Sequence, residues 1–424
     1  MKLKQILLTT VLATTAIANA QEKSSFSLSG EFRPRTEWRD GFNYRYQPNA
    51  AGGNTAGRKG TEGYVLTDAR VALKSSYTTD SYTVFTSIQS VITSGERRQI
   101  IATGNNKIRF QEAWADINLS ESLSLKIGRQ PLSYDDQRIL GGLGWAQQAR
   151  THDVGVFKYK KDGYSLDLGY GFNTETNSNS SSDNTYDLSG FFSYRKIAFA
   201  RANKKYGKLN ISALALYNDF QDENGTGTDA ISSLLTAGLH LDYKTGALSL
   251  SANGFIQDGD RIFGGNHQEI NNAFLASLDA TYKVSDKVSV LAGGEVISGA
   301  NSDSQAFFPL FGTNHKFNGL MDRFYVGNHA VGQGLVDLNV GVSTKIAGAA
   351  VSLKGHHFTS ESSSDDFGQE VDLVIAKGFK GFKVVGGYSQ FFEDDKYPNP
   401  AGNALGKDTQ NWAWLMLIIA PKFL

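Results

Sequence analysis

The chain has 424 residues, and 42 Lys and Arg balance 42 Asp and Glu. A formal net charge of zero gives no bulk field that would draw nucleic acid. With no cysteine, disulfide staples are excluded, and no stretch beyond the N-terminus approaches the roughly 20 apolar residues of a membrane-spanning helix.

Residues 1–20 read MKLKQILLTTVLATTAIANA. Lys2 and Lys4 precede an apolar run, and Ala18-Asn19-Ala20 is a small-x-small cleavage site. This is the pattern of a secretory signal peptide. No cysteine follows it, so it is not a lipoprotein signal. The expected organisation is a signal peptide over 1–20 and one domain over 21–424.

Past the signal, apolar and polar residues alternate. Phe26, Leu28, Gly30 and Phe32 face away from Ser27, Ser29, Glu31, Arg33, Arg35 and Glu37. Val65, Ala69, Val71 and Leu73 alternate with Asp68, Arg70 and Lys74, and Ala113, Ala115 and Ile117 with Glu112, Asp116 and Asn118. The pattern continues with Tyr164, Leu166, Leu168, Tyr170 and Phe172 against Ser165 and Asp167, and late in the chain with Val336, Leu338, Val340 and Val342 against Asp337 and Asn339. A mean hydropathy of −0.31 is what such alternation gives when one face meets lipid and the other water. Aromatic residues at 12%, with 45 Gly and only 7 Pro, fit the same class.

Connections alternate in length. Short turns fall near Thr79, Ser120, Asp162, Gly246, Asp286, Ala347 and Gly381, with a slightly longer one near Lys204. Long loops fall at 40–63, 94–106, 130–149, 173–185, 220–229, 258–271, 298–334, 360–367 and 393–410. Short periplasmic turns with long extracellular loops mark an outer-membrane barrel. The strands between them number about 18, even as closure of a single-chain barrel requires. The terminal run from Trp412 to Ile419, closing on Phe423 and Leu424, resembles the last strand of such barrels. The fold class expected is therefore an all-β transmembrane antiparallel barrel.

The stretch 126–153, KIGRQPLSYDDQRILGGLGWAQQARTHD, begins as a strand and then breaks. Pro131 cannot donate to a ladder, and Gly141, Gly142 and Gly144 mark a bend. Its Arg129, Tyr134, Asp135, Asp136, Arg138, Trp145, Arg150 and Asp153 suit a loop folded into a polar cavity. Such a loop would narrow the lumen. The first strands add Arg33, Arg35, Arg70, Lys74 and Lys126 to the inner wall. A guanidinium ladder suits carboxylates, because the planar fork binds them in bidentate fashion. The alternative is mutual ion pairing within the wall.

Three motifs carry a resemblance: Gly128-Arg129-Gln130 with Tyr134, Gln137-Arg138, Trp145 and Arg150-Thr151-x-Asp153; Gly30-Glu31-x-Arg33-x-Arg35; and residues 314–322, NHKFNGLMD. Together they resemble the alginate export porin family. The resemblance implies a bacterial outer-membrane channel conducting an anionic uronate polysaccharide through an arginine-rich lumen gated by inward-folded loops. It implies a translocation path at Arg33, Arg35, Arg129, Arg138 and Arg150. Asp135, Asp136, Asp153 and Asp322 would be their charge partners. The ladder reading adds Arg70. The expected surroundings are outer-membrane lipid and a polar solute, with a periplasmic delivery partner, no nucleic acid and a monomeric state. Zero net charge keeps a general diffusion porin, without uronate specificity, as the alternative.

An enzyme is the rival class. His152, Asp153 and Ser133 form the one imaginable catalytic set, and no nucleophile motif or zinc spacing appears. His356 and His357 are adjacent on a strand and point to opposite faces. The acidic run 219–224 lacks EF-hand spacing, so Ca²⁺ in the extracellular loops is a minor expectation and no cofactor is expected. Cleavage after Ala20 predicts a mature chain beginning at Gln21. N-terminal sequencing of the membrane-embedded protein should read Gln-Glu-Lys; an uncleaved Met1 would remove the export reading.

Overall fold

The computed structural model describes residues 23–41, 63–94, 108–173, 193–221, 231–263, 266–324, 332–397 and 409–424. The signal sequence and most of the 40–63, 94–106, 173–185 and 220–229 loops lie outside the described residues. In chain order the strands are β1 (Ser25–Asp40), β2 (Tyr64–Thr78), β3 (Tyr82–Thr93), β4 (Arg109–Ser120), β5 (Leu123–Gln130), β6 (His152–Lys161), β7 (Tyr164–Phe172), β8 (Lys196–Tyr206) and β9 (Leu209–Gln221). They continue as β10 (Ile231–Thr245), β11 (Leu248–Phe263), β12 (Asn266–Lys283), β13 (Val288–Ile297), β14 (Leu335–Ile346), β15 (Ala349–Thr359), β16 (Asp366–Phe379), β17 (Phe382–Glu393) and β18 (Thr409–Ile419).

Each strand pairs antiparallel with its neighbours in sequence, and β1 pairs with both β2 and β18, so the 18-stranded sheet closes on itself. Arg35 lies opposite Met416 and Trp38 opposite Ala413 at the seam. Closure pairs every strand edge, which is what allows a sheet to stand in lipid. The chain end reinforces the seam. Leu28 N–H donates to Leu424 O at 3.2 Å and Gly30 N–H to Pro421 O at 2.9 Å.

The two faces follow the period-2 pattern. On β1, Phe32 and Trp38 are 44% and 38% exposed, whereas Arg33, Arg35 and Glu37 are 7%, 7% and 2% exposed. The first set faces lipid and the second the lumen. The largest buried apolar cluster lies inside the barrel. Leu132, Ile139, Leu140, Phe307, Leu310 and Phe311 from two loops pack on Val154, Val156, Ile197, Leu214, Leu216 and Phe255 of the inner wall.

Several boundaries differ from expectation, among them the start of β8 at Lys196, later than a loop ending at 185 implied. The loop expected at 258–271 is largely strand, because β11 and β12 stay paired out to Phe263 and Asn266. The 360–367 loop is shorter, since β16 begins at Asp366. The β8–β9 turn falls at Gly207 rather than Lys204; its φ of 57° takes the left-handed turn that glycine tolerates without strain.

Removing residues 409–424 unpairs β17 and β1 together. The expected outcome is loss of the heat-modifiable band on gels, because an open edge cannot stand in lipid. A truncated protein that still shifts with heating would contradict closure through β18.

Candidate functional site

The lumen is crossed by two loops bonded to each other. The β5–β6 loop (131–151) carries four non-glycine residues with positive φ: Asp135 at 54°, Gln137 at 71°, Leu143 at 49° and Ala149 at 55°. Such conformations persist only where surroundings hold them. The second loop, between β13 and β14, supplies part of that support. Gly141 N–H donates to Phe311 O at 2.8 Å and Thr313 N–H to Gln137 O at 2.9 Å. Thr313 Oγ1 donates to Gln137 Oε1 at 2.8 Å, and Arg150 Nη1 to Gly312 O at 2.8 Å. The two loops thus form one crosspiece.

One end is held by arginines of β1 and β2. Arg33 donates to the carbonyls of Gly144 (2.8 Å), Trp145 (3.3 Å) and Ala146 (3.0 Å). Arg70 donates to Gln147 O at 2.5 Å and Ala146 O at 2.6 Å, and Arg35 to Trp145 O at 3.2 Å. Gln147 answers with Nε2 on Arg33 O and Asp68 O, each at 3.1 Å. The Arg35 guanidinium also stacks 3.8 Å over the Trp145 ring, whose neighbours are His315, Trp412 and Trp414. Fixing the four loop residues Gly144 to Gln147 costs about 1–2 kcal/mol each. Six hydrogen bonds from charged donors, at about 1.5–3 kcal/mol each, offset that cost.

The other end rests on an arc of acids. Arg138 is 1% exposed and pairs with Glu295 of β13; it also donates to Asn314 Oδ1 at 3.2 Å and Asn318 Oδ1 at 3.0 Å. Asn318 Nδ2 reaches Glu295 Oε1 at 2.9 Å and Asp337 Oδ2 at 3.2 Å. Met321 N–H donates to Glu370 at 2.8 Å and Leu320 N–H to Asp372 at 3.3 Å. Gly319, at φ 82°, brings the loop backbone onto Glu370; a Cβ there would lie 2.5 Å from the carboxylate. A third attachment joins Asp135 to Arg201 of β8 at 2.6 Å and Asp136 to Asn253 of β11 at 2.7 Å. Burial, with Asp167 next in weight, pushes the Tyr134 phenol well above its usual range.

The expected path residues therefore separate. Arg33, Arg35, Arg70, Arg138 and Arg150 meet at the crosspiece, where their donors serve loop oxygens, Glu295 and the wall carboxylates Glu31 and Glu37. Arg129 does not join them. It follows Leu125 and Ile127 on the outward face and pairs there with Asp153 at 2.7 Å, the two being 46% and 47% exposed. Asp153 thus keeps an expected arginine, whereas the other three expected carboxylates take different partners. Asp135 takes Arg201, Asp136 takes Asn253 and the Arg138 N–H, and Asp322 takes His315 at 2.9 Å. His152 turns inward to Tyr194 at 3.0 Å while Asp153 points out, so the imagined catalytic pair does not assemble. His356 turns inward to Asp337 at 2.8 Å, away from His357. Asp219, the described head of the acidic run, is engaged by Lys196 at 3.4 Å and Arg195 at 3.8 Å. The acidic arc of Glu295, Asp337, Glu370 and Asp372 was missed from sequence. Its signal was available as carboxylates at inward positions on three strands, β13, β14 and β16.

Arg138→Ala leaves Glu295 buried without its cation. The expected cost is about 3–5 kcal/mol, read as a lower midpoint in denaturant unfolding. Arg138→Met with Glu295→Gln should recover part of that loss. An unchanged midpoint in the single variant would mean that the pair does not hold the loop.

The Pseudomonas aeruginosa outer-membrane protein OpdK, solved with vanillate, superposes with a TM-score of 0.59 at 12% identity, covering 94% of this chain and 99% of that one. Acinetobacter baumannii OccAB1 gives 0.61 at 12% identity, covering 94% and 97%. Pseudomonas aeruginosa OccK8 (OprE) gives 0.56 at 14%, covering 94% and 99%. At these identities the likeness establishes the barrel fold. No curated protein sequence matches the chain. The pattern of the alginate export family matches residues 40–394. The chain is an outer-membrane, porin-like β-barrel channel, and it belongs to the alginate export family.

Proposed function

We propose a passive channel for short anionic polar solutes, uronate sugars foremost, in which the crosspiece acts as a fixed size filter. The observation that carries this reading is the attachment of the crosspiece to three sectors of the wall. A threaded polymer would need those buried bonds broken, whereas a short solute passes beside them. Cations remain on the water-facing wall next to the crosspiece. Lys158 is 33% exposed beside Asp116, and Lys126 lies 3.6 Å over the Trp114 ring with no carboxylate in ion-pair range among the described residues. Lys316 is exposed on the crosspiece itself. In this reading Arg33, Arg35, Arg70, Arg138 and Arg150 act on the solute by holding the filter. Vanillate, named with OpdK, is a small carboxylate of the size the reading requires.

The acidic arc supports a second reading, a general diffusion pore, since its carboxylates offset the basic arc. Reversal potentials in a salt gradient separate the two. The expected result is anion preference and glucuronate block, with Lys126→Glu plus Lys158→Glu reversing the preference. Liposome swelling should show glucuronate entering and long polymannuronate excluded. Weak selectivity without uronate block would favour general diffusion; polymer entering as fast as monomer would overturn the filter.

A further inference from the structure

The β11–β12 hairpin, which continues as paired strand where a loop was expected, carries a second cationic feature. Gln257 faces Ala273, but Gly259 faces Ile270, so β12 holds one extra residue across this step. Asn272, at φ 54°, marks the bulge. A bulge of this kind re-aims the side chains beyond it. Here it turns Ile270 inward, 0% exposed, and brings Gln268 to the same face as Arg261. Arg261 Nε donates to Gln268 Oε1 at 2.9 Å, and its guanidinium lies 4.0 Å from the centroid of the Phe308 ring on the crosspiece loop.

Arg261 is 5% exposed, and its Nη1 has no hydrogen-bond partner among the described residues. It also has no carboxylate in ion-pair range among them. The acids of its own hairpin, Asp258, Asp260 and Glu269, occupy exposed, outward positions. Burying a guanidinium without a counter-charge is costly, and a carboxylate on its free edge would remove that cost through a fork-shaped pair of bonds. The site stands on the long-loop side of the barrel, which is extracellular in this architecture.

We propose that Arg261, positioned by Gln268 and backed by Phe308, is an outer-mouth binding site for the carboxylate of an incoming or departing solute. The proposal rests on the anionic-solute reading above and adds a side to it. Sodium glucuronate is the probe, added to one face at a time of single channels whose orientation is fixed. In the wild type, block from the outer face should need less glucuronate than block from the periplasmic face. Arg261→Gln should raise the half-blocking concentration on the outer face by about tenfold and leave the periplasmic face unchanged. Arg261→Lys should weaken outer block to a smaller extent, since it keeps charge and loses the fork. If the Gln variant gives no heat-modifiable barrel, the Lys variant and the wild-type asymmetry decide. Equal block from both faces in the wild type, unchanged outer block in the variants, or equal loss on both faces would each overturn the site. Reversal potential keeps the two claims apart. One-sided block without anion preference would remove the functional reading and leave the site standing, whereas anion preference without one-sided block would do the reverse.

Discussion

A loop folded into a lumen must hydrogen-bond the backbone groups that it withdraws from water. In this barrel that constraint explains the distribution of charge. Where the β5–β6 loop presents carbonyls, from Gly144 to Gln147, the wall supplies Arg33, Arg35 and Arg70. Where the β13–β14 loop presents N–H groups, at Leu320 and Met321, the wall supplies Asp372 and Glu370. Donors thus gather where the loops present carbonyls and acceptors where they present N–H groups, with Glu31 and Glu37 set among the arginines of the first arc as their counter-charges. Arginine suits the first arc because it stays charged when buried and offers five N–H groups in a fixed plane. One side chain, Arg33, therefore serves three successive carbonyls.

Much of the barrel was legible in the chain. Alternation set the faces, because a strand in lipid with water inside has no other way to place its residues. Loop lengths gave the sidedness and the strand count. The same parity carried information about Arg129 that the motif reading overrode. Leu125, Ile127 and Arg129 share one face, and two of the three meet lipid. Gly128, at φ 119°, lets the strand press against β4 at that level, where a Cβ would lie 2.9 Å from Trp114 Cα. Partner identities inside the lumen were not legible. Asp135 sits beside Arg138 in sequence yet bonds Arg201, and Arg138 finds Glu295 more than a hundred residues away. Loop folding in three dimensions chooses those pairs, and spacing along the chain carries no record of it.

The arginines that a solute-binding ladder would use are the ones that the crosspiece occupies. In the proposed reading this shifts the weight of selectivity from the ladder to what it positions: the edge of a fixed filter, the lysines on the water-facing wall, and the aromatic group around Trp145. A filter held on three sectors, and sharing a packed apolar cluster with the inner wall, behaves as part of the barrel. Its opening would require the simultaneous loss of the arginine, Glu295 and Asp135 attachments, which makes a swinging gate costly and a static constriction the economical arrangement.

The absence of cysteine permits a direct test of that rigidity. The Thr313 and Gln137 side chains meet at 2.8 Å and their backbones at 2.9 Å, within reach of a short reducible bis-thiosulfonate cross-linker once both are cysteine. Gln137→Cys with Thr313→Cys, so bridged, ties the two loops together covalently in their observed relation. The measurement is single-channel conductance and glucuronate flux, bridged and then reduced. A fixed filter predicts the same conductance and flux in both states. Closure on bridging with recovery on reduction would show that solute passes only when the loops part, and would contradict the account.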